Sequence, residues 1–391
     1  MNIKKIDTKL LLVIIGLVIF GIVMISSVSV YESYKLMSKI HGKEYCSVES
    51  GVNCNNFYLN KHLHHVVISI PVFIIGFLLS VNFLKKISLI FFIASFGLLF
   101  SVFIKGVGAD YGTAQSWINV PFLPSIQPSE IMKMAIILYF AIWMEKKEKE
   151  VQTFSGGFLP FVILLTISIL PLALQPDFGS VLVIGMIAVS MFFMAGGNLL
   201  HIFAGGAIAS FIAWPIILSH DYILKRFLAF LNPEDTELAA GFQIKQSLIA
   251  VGSGEFWGVG SGSSSQRFGW LPEVQSDTIF AAAAEELGFF RIFFLICAFA
   301  FIALRGFSIA EKIEDRFVKL TIVGITSWIT FQAIINIGVT LAMMPLTGIT
   351  LPFISYGGSS LIMLMFGCGI LLRCLMQQNE SKYMHKKLNY S

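Results

Sequence analysis

Glu130 and Lys133 stand three residues apart in an apolar stretch that opens Gln127-Pro128-Ser129-Glu130. Positions i and i+3 share a helix face, so the carboxylate and the ammonium can pair. Charge inside an apolar helix is expensive and marks a functional site by default, though a structural ion pair lining a helix bundle carries the same signature. Ser129 suits a helix cap. Gln175-Pro176-Asp177-Phe178-Gly179-Ser180 sits between two apolar runs. There Asp177 reads as an N-cap or as a site acid, and Pro and Gly explain the turn by themselves. Lys225-Arg226 precede Asn232-Pro233-Glu234-Asp235 in a polar segment. Two acids near two cations suit a general base or a solvated turn, and composition alone favours the turn. Glu273 lies in Leu271-Pro272-Glu273-Val274-Gln275-Ser276-Asp277, which leads into an apolar helix; Glu285-Glu286 follow two turns inside it, ahead of Arg291. Pro352–Ser360 is rich in Gly and Ser, and Ser355 and Ser359 in it suit phosphate or sugar as well as close helix packing. No His/Cys cluster has metal-ligand spacing, and neither a Walker phosphate loop nor a GxSxG elbow is present. ATP-driven transport and serine hydrolysis therefore lack support.

These groups must be positioned by membrane helices. Of 391 residues, 56% are hydrophobic and 13% charged, against about 25% charged in a soluble domain. That excludes a water-soluble fold, disorder and coiled coil. The 37 Phe and 33 Gly fit lipid-facing surface and close helix approach. A net charge of +4 is too weak to imply nucleic acid.

A span needs about 20 apolar residues. The expected spans are Leu10–Tyr31, Val66–Leu84 and Ile87–Ile104 (split by Lys85-Lys86), then Pro128–Met144 and Val151–Pro176. Phe178–His220 holds two, hinged at Gly196-Gly197-Asn198; another runs from Asp277 to Leu304, and Leu320–Leu372 holds two more, broken at Pro345–Gly358. The fold class is thus all-α, a single polytopic domain over 1–391 with ten spans. With the N-terminus inside, 16 Lys and Arg fall on inner segments and nine on outer ones, so both termini are expected in the cytoplasm. The outer segments 32–62, 105–127 and 219–276 are long; the last reads as a folded lid with short amphipathic pieces, and Glu145–Glu150 as a solvated inner loop. Cys46 and Cys54 share one outer loop and can pair in an oxidising compartment; Cys297, Cys368 and Cys374 read as inert.

Several segments together resemble the SEDS family (FtsW, RodA, SpoVE), the polymerases of bacterial cell-wall glycan. They are IQPSEIMK (126–133), LQPDFGS (174–180), FLNPED (230–235), GFQIKQSLIAVGSGEFWGVGSGSSSQ (241–266), LPEVQSDTIFAAAAEELG (271–288) and NIGVTLAMMPLTGITLPFISYGGSS (336–360). QPDFGS and GITLPFISYGGSS look more like the division branch. There are departures: Ser116 replaces an expected Arg, the usual His-Thr-Asp-Phe run reads Gln275-Ser276-Asp277-Thr278, Lys245 replaces an uncharged residue, and Asp235-Thr236 replaces Asp-Pro.

The resemblance implies a peptidoglycan glycosyltransferase that joins undecaprenyl-pyrophosphate-linked disaccharide pentapeptide (lipid II) to a glycan strand with inversion. It implies Asp235 as general base, Glu130 and Lys133 lining a polar cavity, and Lys225, Arg226, Arg267 or a divalent cation (Mg or Mn) meeting the pyrophosphate. Asp177, Glu273, Ser355 and Ser359 join them as substrate-binding candidates. Implied partners are a class B penicillin-binding protein and other divisome proteins, at the septum of the bacterial cytoplasmic membrane. Lipid II translocation and divisome scaffolding are the competing functions.

Overall fold

The structure, a computed structural model, describes residues 7–42, 44–46, 52–104, 106–109, 116–118, 125–219, 221–233 and 239–388. The first helix, α1, spans Thr8–Val28; Asp7 caps it by accepting from the Leu10 amide at 3.2 Å. The chain does not enter a loop at residue 32 as expected. It breaks at Ser29 and continues as α2, Val30–His41. Cys46 and Cys54 beyond it form a disulfide, with Cα atoms 5.7 Å apart.

Helix α3 covers Phe57–Leu78 and α4 covers Val81–Ser101. Their break falls at Leu79-Ser80, ahead of Lys85-Lys86 where the charge pattern puts it. The reason is a cap: Ser80 Oγ accepts from Phe83 N at 3.2 Å and starts α4. Lys85 then sits inside α4, with its ammonium 2.6 Å from Glu145 and 3.3 Å from Asp315. A small antiparallel hairpin, β1 (Gly108–Ala109) with β2 (Trp117–Ile118), precedes α5, Pro128–Lys146.

Then follow α6 (Leu159–Leu174), α7 (Phe178–Met194) and α8 (Leu199–Ser219), hinged where Gly196-Gly197-Asn198 predicts. The expected lid contains two helices, α9 (Asp221–Leu231) and α10 (Ala239–Ser253). The chain ends with α11 (Ile279–Ala310), α12 (Arg316–Thr340) and α13 (Gly358–Leu388). Among the described residues, seven helices are long and apolar enough to cross a membrane. The other three expected spans fall on α7 and α8, which hold shorter apolar segments, and on α5, which carries Glu130 and Lys133.

Helices α5 and α12 are buried almost all round and form the centre. Helix α8 is the opposite, with Leu200 72% and Phe211 81% exposed, as suits a helix clad in lipid. Helices α3 and α13 meet backbone to backbone: a methyl on Gly76 would lie 2.5 Å from Phe366 O, and one on Gly369 2.2 Å from Phe73 O. Close approach of this kind replaces the missing hydrophobic drive between helices in lipid.

Helix α11 is broken at Gly288, which has φ 75° and ψ 170°. A break at membrane depth leaves amides and carbonyls without partners, and something must pair them. The segment after α10 does so. Val259 and Gly260 amides donate to Glu285 O and Glu286 O at 3.0 and 3.1 Å, while Phe289 and Phe290 amides donate to Glu255 O and Phe256 O at 2.9 and 3.1 Å. The carboxylates reinforce the dock. Glu285 accepts from Ser264 Oγ at 2.5 Å and from Ser265 N at 3.0 Å; Glu286 accepts from Ser27 Oγ at 2.7 Å.

Candidate functional site

Pro128 at the first position of α5 starts the helix that carries Glu130 and Lys133 inward. The pair forms as its spacing predicts, with Lys133 Nζ 2.7 Å from Glu130 Oε1. It is enclosed within the bundle: Lys133 is fully buried and Glu130 is 4% exposed. Lys133 also reaches Gln332 Oε1 at 3.4 Å and stands 5.8 Å from the centre of the Trp328 ring. Trp328 Nε1 donates to the same Gln332 oxygen at 2.7 Å. The Gln332 amide nitrogen then donates to Thr350 O at 3.1 Å and to Ser360 Oγ at 3.3 Å. A buried charge is therefore linked through one glutamine on α12 to the irregular strap that joins α12 to α13.

That strap holds the lead-in to α11. Ser355 Oγ donates to Ser276 O at 2.6 Å and accepts from Leu351 N at 2.8 Å. Tyr356 N donates to Gln275 O at 2.8 Å. Asn336, one turn beyond Gln332 on α12, donates to Asp277 O at 2.8 Å and to Ile349 O at 2.7 Å. Ser359 donates to Ser125 O and accepts from Gln127 N, which ties the strap to the start of α5. Both candidate serines are thus occupied by backbone partners.

Asp277 emerges at this junction, half-buried. Burial is the main cause that pushes its carboxyl up to about 6; Glu273 adds to the rise and Arg226 opposes it. Gly348 edges the same carboxyl, since a methyl there would lie 3.6 Å from Asp277 Oδ2. Arg226 on α9 donates to Leu346 O at 3.1 Å, which brings its guanidinium to the same rim. Lys225 beside it is exposed, and so is Glu273, whose carboxylate accepts from Ser276 Oγ at 2.9 Å.

Asp177 caps α7 by accepting from Ser180 N at 3.1 Å. The start of α7 packs on the strap, because a methyl on Gly179 would meet Thr347 O at 2.6 Å. Arg267 is placed apart from this group: its guanidinium donates to Ser27 O at 2.8 Å, beside Glu286. Asp235 lies outside the described residues.

So the structure gathers Arg226, Glu273 and the strap around Asp277, with Glu130 and Lys133 one layer deeper. Three members of this arrangement do not stand out in the sequence. Asp277 reads there as the run-in to a helix and as the acid kept in the altered His-Thr-Asp-Phe run, without a role of its own. Gln332 and Asn336 lie in a long uncharged stretch; their spacing of four sets them on one helix face, and Asn336 opens the matching stretch 336–360.

A family profile described as "Cell cycle protein", covering FtsW, RodA and SpoVE, matches residues 7–380. The chain belongs to the FtsW/RodA/SpoVE family. The stage V sporulation protein E of Bacillus subtilis (strain 168) is 37% identical over 388 residues, 98% of this chain and 99% of that one. A protein named probable peptidoglycan glycosyltransferase FtsW in Geobacter sulfurreducens is 34% identical over 375 residues, 95% of this chain and 96% of its own. Among solved structures, the Thermus thermophilus rod shape determining protein RodA aligns with TM-score 0.67 at 22% identity, over 97% of this chain and 99% of that one. A chain from a study of "polymerization and crosslinking by a peptidoglycan synthase complex" aligns with TM-score 0.75 at 23% identity, over 96% and 98%. The structural likeness supports the polytopic FtsW/RodA/SpoVE fold through nearly the whole chain.

Proposed function

We propose that this chain is a peptidoglycan glycosyltransferase that polymerises lipid II into glycan strands, with inversion, during cell division. Full-length similarity to relatives bearing that activity in their names supports the reaction class. The observation that carries the chemistry is Asp277. A general base serves best when its pKa lies near the working pH, and this carboxyl is raised to about 6 at the mouth of the bundle.

In this reading the Asp277 carboxylate takes the proton from the acceptor sugar hydroxyl. The hydroxyl oxygen attacks the anomeric carbon from the face opposite the leaving group. The bond from that carbon to the pyrophosphate oxygen breaks, and the electron pair leaves with the undecaprenyl pyrophosphate. Arg226, with Lys225 beside it, supplies positive charge for that leaving group. Lys133 and Glu130 act from below by holding Gln332 against the strap. Among the described residues no group of three or more His, Cys, Asp or Glu is placed to hold a metal ion; a divalent cation carried on the pyrophosphate would add positive charge beside Arg226 and Lys225. A class B penicillin-binding protein is the proposed crosslinking partner, and the septal cytoplasmic membrane the proposed location.

The test is polymerisation of purified lipid II by the full chain with its penicillin-binding partner and a divalent cation. Wild type runs beside Asp277→Asn and Asp235→Asn. Polymer from Asp235→Asn but none from folded, partner-bound Asp277→Asn is the expected result. The reverse pattern would move the base to Asp235, where the sequence resemblance places it.

A further inference from the structure

The first intrahelical bonds of α11 go to Thr278: Ala281 N donates to Thr278 O at 3.0 Å and Ala282 N at 3.4 Å. The three carbonyls just before it, on Gln275, Ser276 and Asp277, receive nothing from the helix. Each is instead held by a different donor: Tyr356 N at 2.8 Å, Ser355 Oγ at 2.6 Å and Asn336 Nδ2 at 2.8 Å. The Ser276 carbonyl belongs to the peptide plane before Asp277 Cα, and the Asp277 carbonyl to the plane after it. With both planes held, only the side-chain torsions of Asp277 are left free. Among the described residues no hydrogen bond is made to its carboxylate, so those oxygens stay open to a proton.

Asn336 is the donor from the core. It is 2% exposed on α12, the most enclosed face of the bundle. Both of its amide hydrogens are used, one on Asp277 O and one on Ile349 O at 2.7 Å. Flipping the amide would set its oxygen against two carbonyl oxygens, so these acceptors also fix its orientation. Its Oδ1 is buried without a partner among the described residues. A polar atom left in that condition is costly, and the arrangement persists because the two donors are fully engaged. Through Ile349 the same amide locks the Gly348 turn that edges the carboxyl.

We propose that Asn336 is a positioning residue for the reaction: it joins the acid-bearing segment and the strap to α12, and with Ser355 fixes the backbone on either side of Asp277. This rests on the assignment of Asp277 as the base. Loss of the clamp lets the carboxyl drift and hydrate. A misplacement of about 1 Å remote from the chemistry can lower a rate by about a hundredfold. Hydration also returns the acid toward its ordinary pKa.

The experiment measures kcat, KM and the acid limb of the pH–rate profile for lipid II polymerisation by the full chain with its partner. The variants are Asn336→Ala, whose vacated volume admits water to the freed carbonyls, Ser355→Ala and Asp277→Asn. Expected for Asn336→Ala is a kcat lowered about ten- to a hundredfold, KM within about twofold of wild type, and an acid limb moved to lower pH than that of the wild type measured alongside. A folded Asn336→Ala with unchanged kcat and acid limb, beside an inactive Asp277→Asn, overturns the clamp alone. A rise in KM only also overturns it. Full activity in Asp277→Asn overturns the base assignment instead. If Asn336→Ala does not fold, Ser355→Ala decides by the same readouts, and failure of both to fold overturns the proposal in favour of a purely structural role.

Discussion

A carboxyl whose pKa rises on folding works against the fold once it ionises. Asp277 moves from an ordinary 3.8 to about 6. The folded chain therefore holds this proton more tightly than the unfolded chain does. The resulting stabilisation is complete below pH about 4, fades as pH rises through about 6, and amounts to about 3 kcal/mol across that window. Asp277→Asn removes the titration. It should melt higher than wild type at pH 8, and the advantage should vanish at pH 4; equal differences at both pH values would count against the shift. Lys133 poses the opposite case. Its ammonium is fully buried against Glu130, and removing one partner of a buried pair costs about 3–5 kcal/mol. Lys133→Met should show that loss in denaturant melts, and adding Glu130→Gln should recover most of it. The spacing in QPSEIMK makes this pair legible in the sequence alone. Asp277 is less legible, because its raised pKa comes from burial, with Glu273 adding to the rise and Arg226, remote in the chain, opposing it.

At the level of elements, hydropathy places the apolar runs well but misplaces their ends. Ser80 ends the α3–α4 turn ahead of the lysines, and Ser29 divides a run that continues helically to His41. Neither effect alters mean hydropathy, so neither shows in a window average. The break in α11 is subtler still. AEELGFFRIFF reads as continuous helix, whereas glycine permits the positive φ at 288 and the dock of residues 255–260 pairs the backbone groups that the break frees. A methyl there would meet Gly258 N at 2.2 Å, and the backbone strain alone is worth about 1–3 kcal/mol. Gly288→Ala should therefore loosen the segment between α10 and α11. Limited proteolysis should cut within 254–270 in the variant and spare the wild type; identical cleavage of both would mean that the dock is not held by this glycine.

For the whole molecule, orientation in the bilayer follows from charge and chemistry that lie far apart in sequence. Inner segments hold 16 Lys and Arg against nine outside, and the bias predicts both termini in the cytoplasm. Two structural features mark the opposite ends of the bundle. At one end, Lys85, Glu145 and Asp315 join α4, α5 and the start of α12. The disulfide between Cys46 and Cys54 lies in the α2–α3 connection, in a segment the charge bias assigns to the outer, oxidising side. The Asp277 mouth lies at the disulfide's end of the bundle: Tyr356, which pins Gln275, packs on Tyr58 at the start of α3 with ring centres 5.1 Å apart. Disulfide, strap and carboxyl thus share one end of the bundle, where a sugar acceptor would be found. A membrane-impermeant maleimide should therefore label Cys46 and Cys54 in intact spheroplasts only after mild reduction, and leave them unlabelled in sealed inside-out vesicles treated alike. Labelling from the inside-out face would invert the chain, put Asp277 in the cytoplasm, and remove the basis for a base that works on extracytoplasmic glycan.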